Sequence, residues 1–194
     1  MSKYKTWQYW RDEWVKPVLY ALVIALFIRT FIAQPFKIPT SSMEPAFVPG
    51  DRIFVNKFIY GAKLPFTDIR LPKIKEPERG DIIVFRSPVE RKKFLVKRLV
   101  GLPGDTVEIK NKRILINGEL LREPSVFKDT PYYNKGEYGE RGKPVKVPPK
   151  FYYCLGDNSQ NSVDSRYWGF APAKNLAGKV FFIHWPIKRI RVVK

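Results

Sequence analysis

The residues best suited to chemistry fall in three stretches far apart in the chain. The first is Phe36-Lys37-Ile38-Pro39-Thr40-Ser41-Ser42-Met43-Glu44-Pro45, in which three hydroxyl residues stand between two prolines. Each proline fixes its own φ and pushes the residue before it toward an extended shape. The hydroxyls are therefore expected on stiff, extended backbone and not in a helix. The stretch reads either as a linker behind the apolar segment that precedes it, or as a serine held at a fixed position. A serine so held becomes a nucleophile once a base accepts its proton.

The base is the harder requirement. The sole histidine, His184, lies in the apolar run Val180-Phe181-Phe182-Ile183-His184-Trp185, and no Gly-x-Ser-x-Gly elbow accompanies it. The sole cysteine, Cys154, lies in Phe151-Tyr152-Tyr153-Cys154-Leu155, which reads as a strand with a buried, inert thiol. One cysteine and one histidine make neither an internal disulfide nor a zinc site, and nothing local joins them in a dyad. A lysine remains. It acts as a base only when deprotonated, which requires burial among apolar groups with no carboxylate beside it. Most of the 36 lysines and arginines sit in polar runs. Lys97 does not: it follows Phe94-Leu95-Val96, with Leu99-Val100 just beyond, and strand alternation puts Leu95, Lys97 and Leu99 on one side. There it either snorkels or acts.

The third stretch is Gly156-Asp157-Asn158-Ser159-Gln160-Asn161-Ser162-Val163-Asp164-Ser165-Arg166, polar throughout except at Gly156 and Val163. It reads as a hairpin loop held by Asx turns. If its end is extended, Ser162, Asp164 and Arg166 share a face, where a carboxylate–guanidinium pair can buttress a serine hydroxyl.

Elements that could position these residues follow from a local signature that recurs. Gly50-Asp51, Gly80-Asp81 and Gly104-Asp105 each precede a β-branched or aromatic run, at Arg52–Val55, Ile82–Phe85 and Thr106–Ile109. Phe94–Val100 and Arg113–Ile116, the latter followed by Asn117-Gly118, read as further strands. No useful helical run follows residue 40. The expected fold is mainly β, a twisted antiparallel assembly of short strands curled into a partial barrel or two sheets. Residues 60–79 and 123–150 are rich in Gly and Pro and read as long loops.

Ahead of the β-domain, residues 18 to 36 are almost all apolar, interrupted by Arg29, Thr30 and Gln34. The uninterrupted part, 18 to 28, would reach only about 16 Å as a helix against a hydrocarbon layer of roughly 30 Å. A span must therefore use the second apolar part too, with Arg29 snorkelling near its outer end. The expectation is one transmembrane helix over 17–36, with a cleaved signal peptide or a buried core helix as alternatives. Lys3, Lys5, Arg11 and Lys16 against Asp12 and Glu13 place residues 1–16 in the cytoplasm and 37–194 outside. The net charge of +18 invites nucleic acid, but the basic residues lie scattered through β-like runs and on no recognition helix or finger. For a tethered domain the nearest large anion is the lipid surface.

Taken together the three stretches resemble the bacterial type I signal peptidases. Ile38-Pro39-Thr40-Ser41-Ser42-Met43-Glu44-Pro45 is similar to that family's nucleophile motif, Lys97-Arg98-Leu99-Val100-Gly101-Leu102-Pro103-Gly104-Asp105 to its base motif, and Gly156 to Arg166 to its third motif, in the family's order. The resemblance implies Ser42 as nucleophile, Lys97 as general base and Thr40, with the Ser42 backbone N–H, as oxyanion donor. It further implies Ser162 orienting the lysine, with Asp164 and Arg166 in support. Phe36, Ile38, Met43, Ile53 and Val96 would line shallow pockets that admit alanine-sized side chains of signal-peptide-bearing preproteins, at the outer face of a bacterial plasma membrane. Neither a cofactor nor a metal is implied, and the oligomeric state stays open. The chain departs from the family at Thr40, where serine is commoner, and at Ser159-Gln160, where Arg-Asp is usual. Two other readings fit parts of the sequence: a self-cleaving repressor-type Ser/Lys peptidase, and a non-catalytic tethered β-domain binding an anionic partner.

Overall fold

The computed structural model describes residues 10–27, 33–61, 71–90 and 92–193. Its strands are β1 (Ala33–Lys37), β2 (Arg52–Asn56), β3 (Ile82–Arg86), β4 (Phe94–Gly101), β5 (Thr106–Lys110), β6 (Arg113–Ile116), β7 (Glu119–Leu120), β8 (Val145–Lys146), β9 (Phe151–Leu155), β10 (Ala171–Pro172), β11 (Leu176–Trp185) and β12 (Arg191–Val192). The recurring Gly-Asp pairs start β2, β3 and β5, and one chemistry builds each turn. Gly50, Gly80 and Gly104 take φ of 97°, 92° and 92°, left-handed values that cost glycine little. The aspartate after each accepts from the backbone N–H three residues earlier: Val48 at 3.0 Å, Glu78 at 2.9 Å, Leu102 at 2.6 Å. Each aspartate then pairs with a cation from elsewhere, Asp51 with Arg189, Asp81 with Lys179 and Asp105 with Arg79.

The strands pair antiparallel in two sheets. The larger runs β1-β2-β11-β3-β4-β9-β10, with β12 beside β11, and the smaller runs β7-β6-β5-β8. The mainly β, two-sheet architecture matches the alternation and turn signals of the sequence. One core cluster packs Ile38, Met43, Phe47, Ile53 and Val84. Another packs Ile83, Phe85, Leu99, Tyr152 and Cys154, with Leu95 and Trp168 against it. A third fills the smaller sheet around Val107, Ile114 and Phe127.

The transmembrane expectation is overturned. No helix among the described residues is long and apolar enough to cross a membrane. The helix Lys16–Phe27 has 12 residues, about 18 Å at 1.5 Å per residue. The expected span counted Ala33–Phe36 as its outer turn, but those residues form β1, paired with β2 from Ala33 opposite Asn56 to Lys37 opposite Arg52. Pro35 removes a helical donor yet is tolerated on an edge strand. The single-pass topology, with a cytoplasmic amino end and an outer β-domain, loses its basis with the span. Arg29 lies outside the described residues, as does 62–70 of the first long loop. The second long loop carries a helical turn at Val126–Asp129 and contributes β8 to the smaller sheet.

Candidate active site

Ser42 sits in a 3-10 turn, Ser41–Met43, and not on the extended backbone that flanking prolines suggest. Each proline restricts only itself and its predecessor. Accordingly Glu44, before Pro45, is extended (φ −65°, ψ 142°), whereas Ser41–Met43 directly precede no proline and are free to turn; Thr40, extended at φ −129° and ψ 160°, is the capping residue that opens the turn. Met43 plugs the turn into the core beside Ile38 and Phe47. Below it, the Ile38 N–H donates to the Asp51 carbonyl and the Gly50 N–H to the Ile38 carbonyl, both at 2.8 Å.

Lys97 projects from the middle of β4, opposite Ile83 of β3. It is 3% exposed, and its Nζ donates to Ser42 Oγ at 2.6 Å. Burial brings the amine down from 10.5 to about 8; Asp164, Cys154 and Asp157 oppose the drop, and the Arg166 charge reinforces it. Thr40 Oγ1 lies 3.4 Å from Ser42 Oγ.

The polar loop after β9 wraps this pair. Asp164 caps the short helix Ser165–Trp168 and holds Arg166 through two side-chain bonds of 2.8 Å, both residues fully buried. Arg166 therefore leaves the extended face shared with Ser162 and becomes a hub, donating to the carbonyls of Tyr133 and Ser159 and to Ser159 Oγ. The Asp164 carboxylate is the strongest influence favouring the protonated amine, and the Arg166 charge held against it offsets part of that pull, so burial still prevails. Ser162 is buried, and its Oγ has no hydrogen-bond partner among the described residues. Gly156 makes the approach possible: a Cβ there would stand 2.2 Å from Ser162 Oγ and 2.4 Å from the Ser42 carbonyl.

A cleft of about 740 Å³ opens at the pair, with Phe36, Ile38, Met43 and Val96 on its walls. Ile53, expected there, is not on the wall. It is 0% exposed, because its side chain packs into the buried cluster with Phe47, Val84 and Val180. Phe94 adds to the wall, edge-on to Phe36 at 5.4 Å. Cys154 lies in the core with burial raising its thiol pKa, and His184 stacks on Phe54 at 4.3 Å in β11.

Two further residues escaped the sequence reading. Arg98, next to Lys97 but on the opposite face of β4, makes a buried two-point pair with Asp157 at 2.7 and 2.6 Å. Asn158 donates from its backbone N–H to the Ser42 carbonyl at 3.1 Å and from its side chain to the Ser41 carbonyl at 3.2 Å. The signal for the first was present: an arginine between apolar strand residues needs a carboxylate. Nothing in the sequence pointed to the second.

The profile of the family described as "Signal peptidase, peptidase S26" matches residues 11–185. The chain is 39% identical to the signal peptidase I of Pseudomonas aeruginosa, over 90% of its own length and 73% of the relative's. It is 38% identical to a probable signal peptidase I-2 of a Synechocystis species over the same shares. It is 35% identical to a signal peptidase I P of Bacillus subtilis subsp. natto, over 94% and 93%. A crystal structure of a signal peptidase I from Enterococcus faecalis aligns at 35% identity over 54% of this chain and 97% of that one, with a TM-score of 0.42.

Proposed function

Because the chain belongs to the peptidase S26 family of signal peptidases, and is thereby a serine endopeptidase of the Ser/Lys kind, we propose that Ser42 and Lys97 cut signal peptides from preproteins after a small residue. The observation that carries the assignment of roles is the 2.6 Å contact between Ser42 Oγ and a lysine amine buried in the core. With its pKa near 8, a useful fraction of Lys97 is neutral at physiological pH. The neutral amine takes the hydroxyl proton along the line of the existing hydrogen bond as Ser42 Oγ attacks the scissile carbonyl. The Thr40 hydroxyl, beside Ser42 Oγ, donates to the developing oxyanion together with the Ser42 backbone N–H. Collapse breaks the C–N bond, and the protonated lysine gives its proton to the departing amine. The ester-linked acyl-enzyme is then hydrolysed by a water that Lys97 deprotonates, which frees the new carboxylate and restores Ser42.

The cleft wall supports extended, apolar, small-side-chain substrate next to the cut. Phe36, Phe94 and Val96 line it beside Ser42 and Lys97, giving an apolar surface suited to such residues. The assay is cleavage of a purified preprotein with an Ala-x-Ala site, followed by mass spectrometry, across pH 5 to 11. The unaltered protein should release the signal peptide, and Ser42→Ala and Lys97→Ala should each lower the rate by several orders of magnitude. Retained cleavage in Ser42→Ala, with circular dichroism unchanged, would move the reaction to another nucleophile.

A further inference from the structure

The match to the family ends at Trp185, yet the residues beyond it fold back under the turn that carries Ser42. Arg189 Nε donates to both carboxylate oxygens of Asp51, at 2.9 and 3.2 Å. Arg191 Nη2 donates to the Ala46 carbonyl at 2.6 Å. The Val193 N–H donates to the Phe181 carbonyl at 2.9 Å, and its side chain packs on the cluster that holds Ile38, Met43 and Phe47. The tail thus grips the backbone after Ser42 at Ala46 and again at Asp51.

Asp51 is the point where the grip is transmitted. Its side chain is fully buried and also fixes the Val48 N–H, while its backbone carbonyl receives the Ile38 N–H. From Ile38 the rigid Pro39 leads straight to Thr40 and Ser42. We infer that Ile187–Val193 is a clamp that positions the Ser42 turn against Lys97, with Arg189 as its principal positioning residue. Without the guanidinium, the Asp51 carboxylate stays buried with the Val48 N–H as its remaining partner among the described residues. A buried charge so exposed to its own desolvation cost recruits water. That change loosens the turn at 48–51, and with it the Ile38 anchor. Chemistry that depends on a 2.6 Å contact is sensitive to such a shift, whereas substrate binding along the cleft is much less so.

This inference rests on the Ser/Lys reading, and its test separates the two. Full-length Arg189→Met and Arg189→Lys are compared with the unaltered protein on the same preprotein, alongside amide hydrogen exchange. Arg189→Met should lower kcat about tenfold while KM stays within about twofold. Arg189→Lys should recover most of the rate. Exchange should quicken in peptides covering 36–51 and stay unchanged in those covering 106–120. An unchanged kcat and unchanged exchange in Arg189→Met overturn the clamp. So does a loss of rate with equal quickening in both regions, which marks general destabilisation. If the unaltered protein does not cleave, the Ser/Lys reading fails, and local exchange alone decides whether the clamp exists.

Discussion

Replacing Lys97 with methionine should stabilise the fold at neutral pH while abolishing cleavage. The unfolded chain holds the lysine proton up to about 10.5, whereas the folded protein releases it near 8. At 1.36 kcal/mol per pH unit, that gap is a cost of about 3 kcal/mol to the native state wherever the buried amine is charged. The cost is fully present below pH 8. As pH rises from about 8 to about 10.5, the native state sheds its proton while the unfolded state keeps one, so the wild type gains stability over that window and is level above it. Methionine has nearly the same shape and carries no such cost, although its loss of the Ser42 hydrogen bond offsets about 1 kcal/mol. The net advantage of Lys97→Met at pH 7 is therefore about 2 kcal/mol. Urea unfolding of both proteins at pH 6.5, 8, 9.5 and 11 measures it, with the lever being the pH-dependent part of the difference. A gap between the two that stays flat across that range, or a variant less stable at pH 6.5, would refute the reasoning. The same titration sets the activity: kcat/KM should rise with pH through about 8, because only the neutral amine accepts the serine proton.

Gly156→Ala should cost activity out of proportion to stability. The new Cβ would press on Ser162 Oγ at 2.2 Å and the Ser42 carbonyl at 2.4 Å. We expect about a hundredfold loss in kcat for a loss of roughly 1–3 kcal/mol in urea unfolding, and equal activity would contradict the close packing described. Thr40→Val keeps the side-chain shape and removes the hydroxyl that stands 3.4 Å from Ser42 Oγ. Its cleavage barrier should rise by about 3 kcal/mol, with Thr40→Ser near wild type, and a fully active valine variant would take Thr40 out of the oxyanion role.

Much of the β-domain was legible because its punctuation is chemical. A glycine that must turn left-handed, followed by an aspartate that can cap the turn, marks a strand start whatever lies around it. Lys97 was legible for a related reason, as a cation on a face with Leu95 and Leu99. The apolar run before residue 37 was misread because composition alone does not separate a helix from an edge strand. Pro35 and Gln34 were the local evidence for a strand, and the count of apolar residues outweighed them. The turn at Ser42 was misread by extending the reach of each proline past its single neighbour. Ile53 was placed in the cleft because alternation gives the face of a strand but not which side chains pack over that face. Arg98 with Asp157 stayed hidden because the partners lie 59 residues apart.

The three turn aspartates differ in when their cations become available. Arg79 lies 26 residues from Asp105 and precedes it, whereas Arg189 lies 138 residues beyond Asp51. A chain synthesised from its amino end presents Ser42, Lys97 and the loop to Arg166 before Arg189 has been added. During that interval the Asp51 carboxylate lacks its arginine partner. The consequence is an uneven dependence on chain order: the Asp105 turn can close on an arginine already made, whereas the Asp51 turn gains its cation only after the whole of β11 has been added.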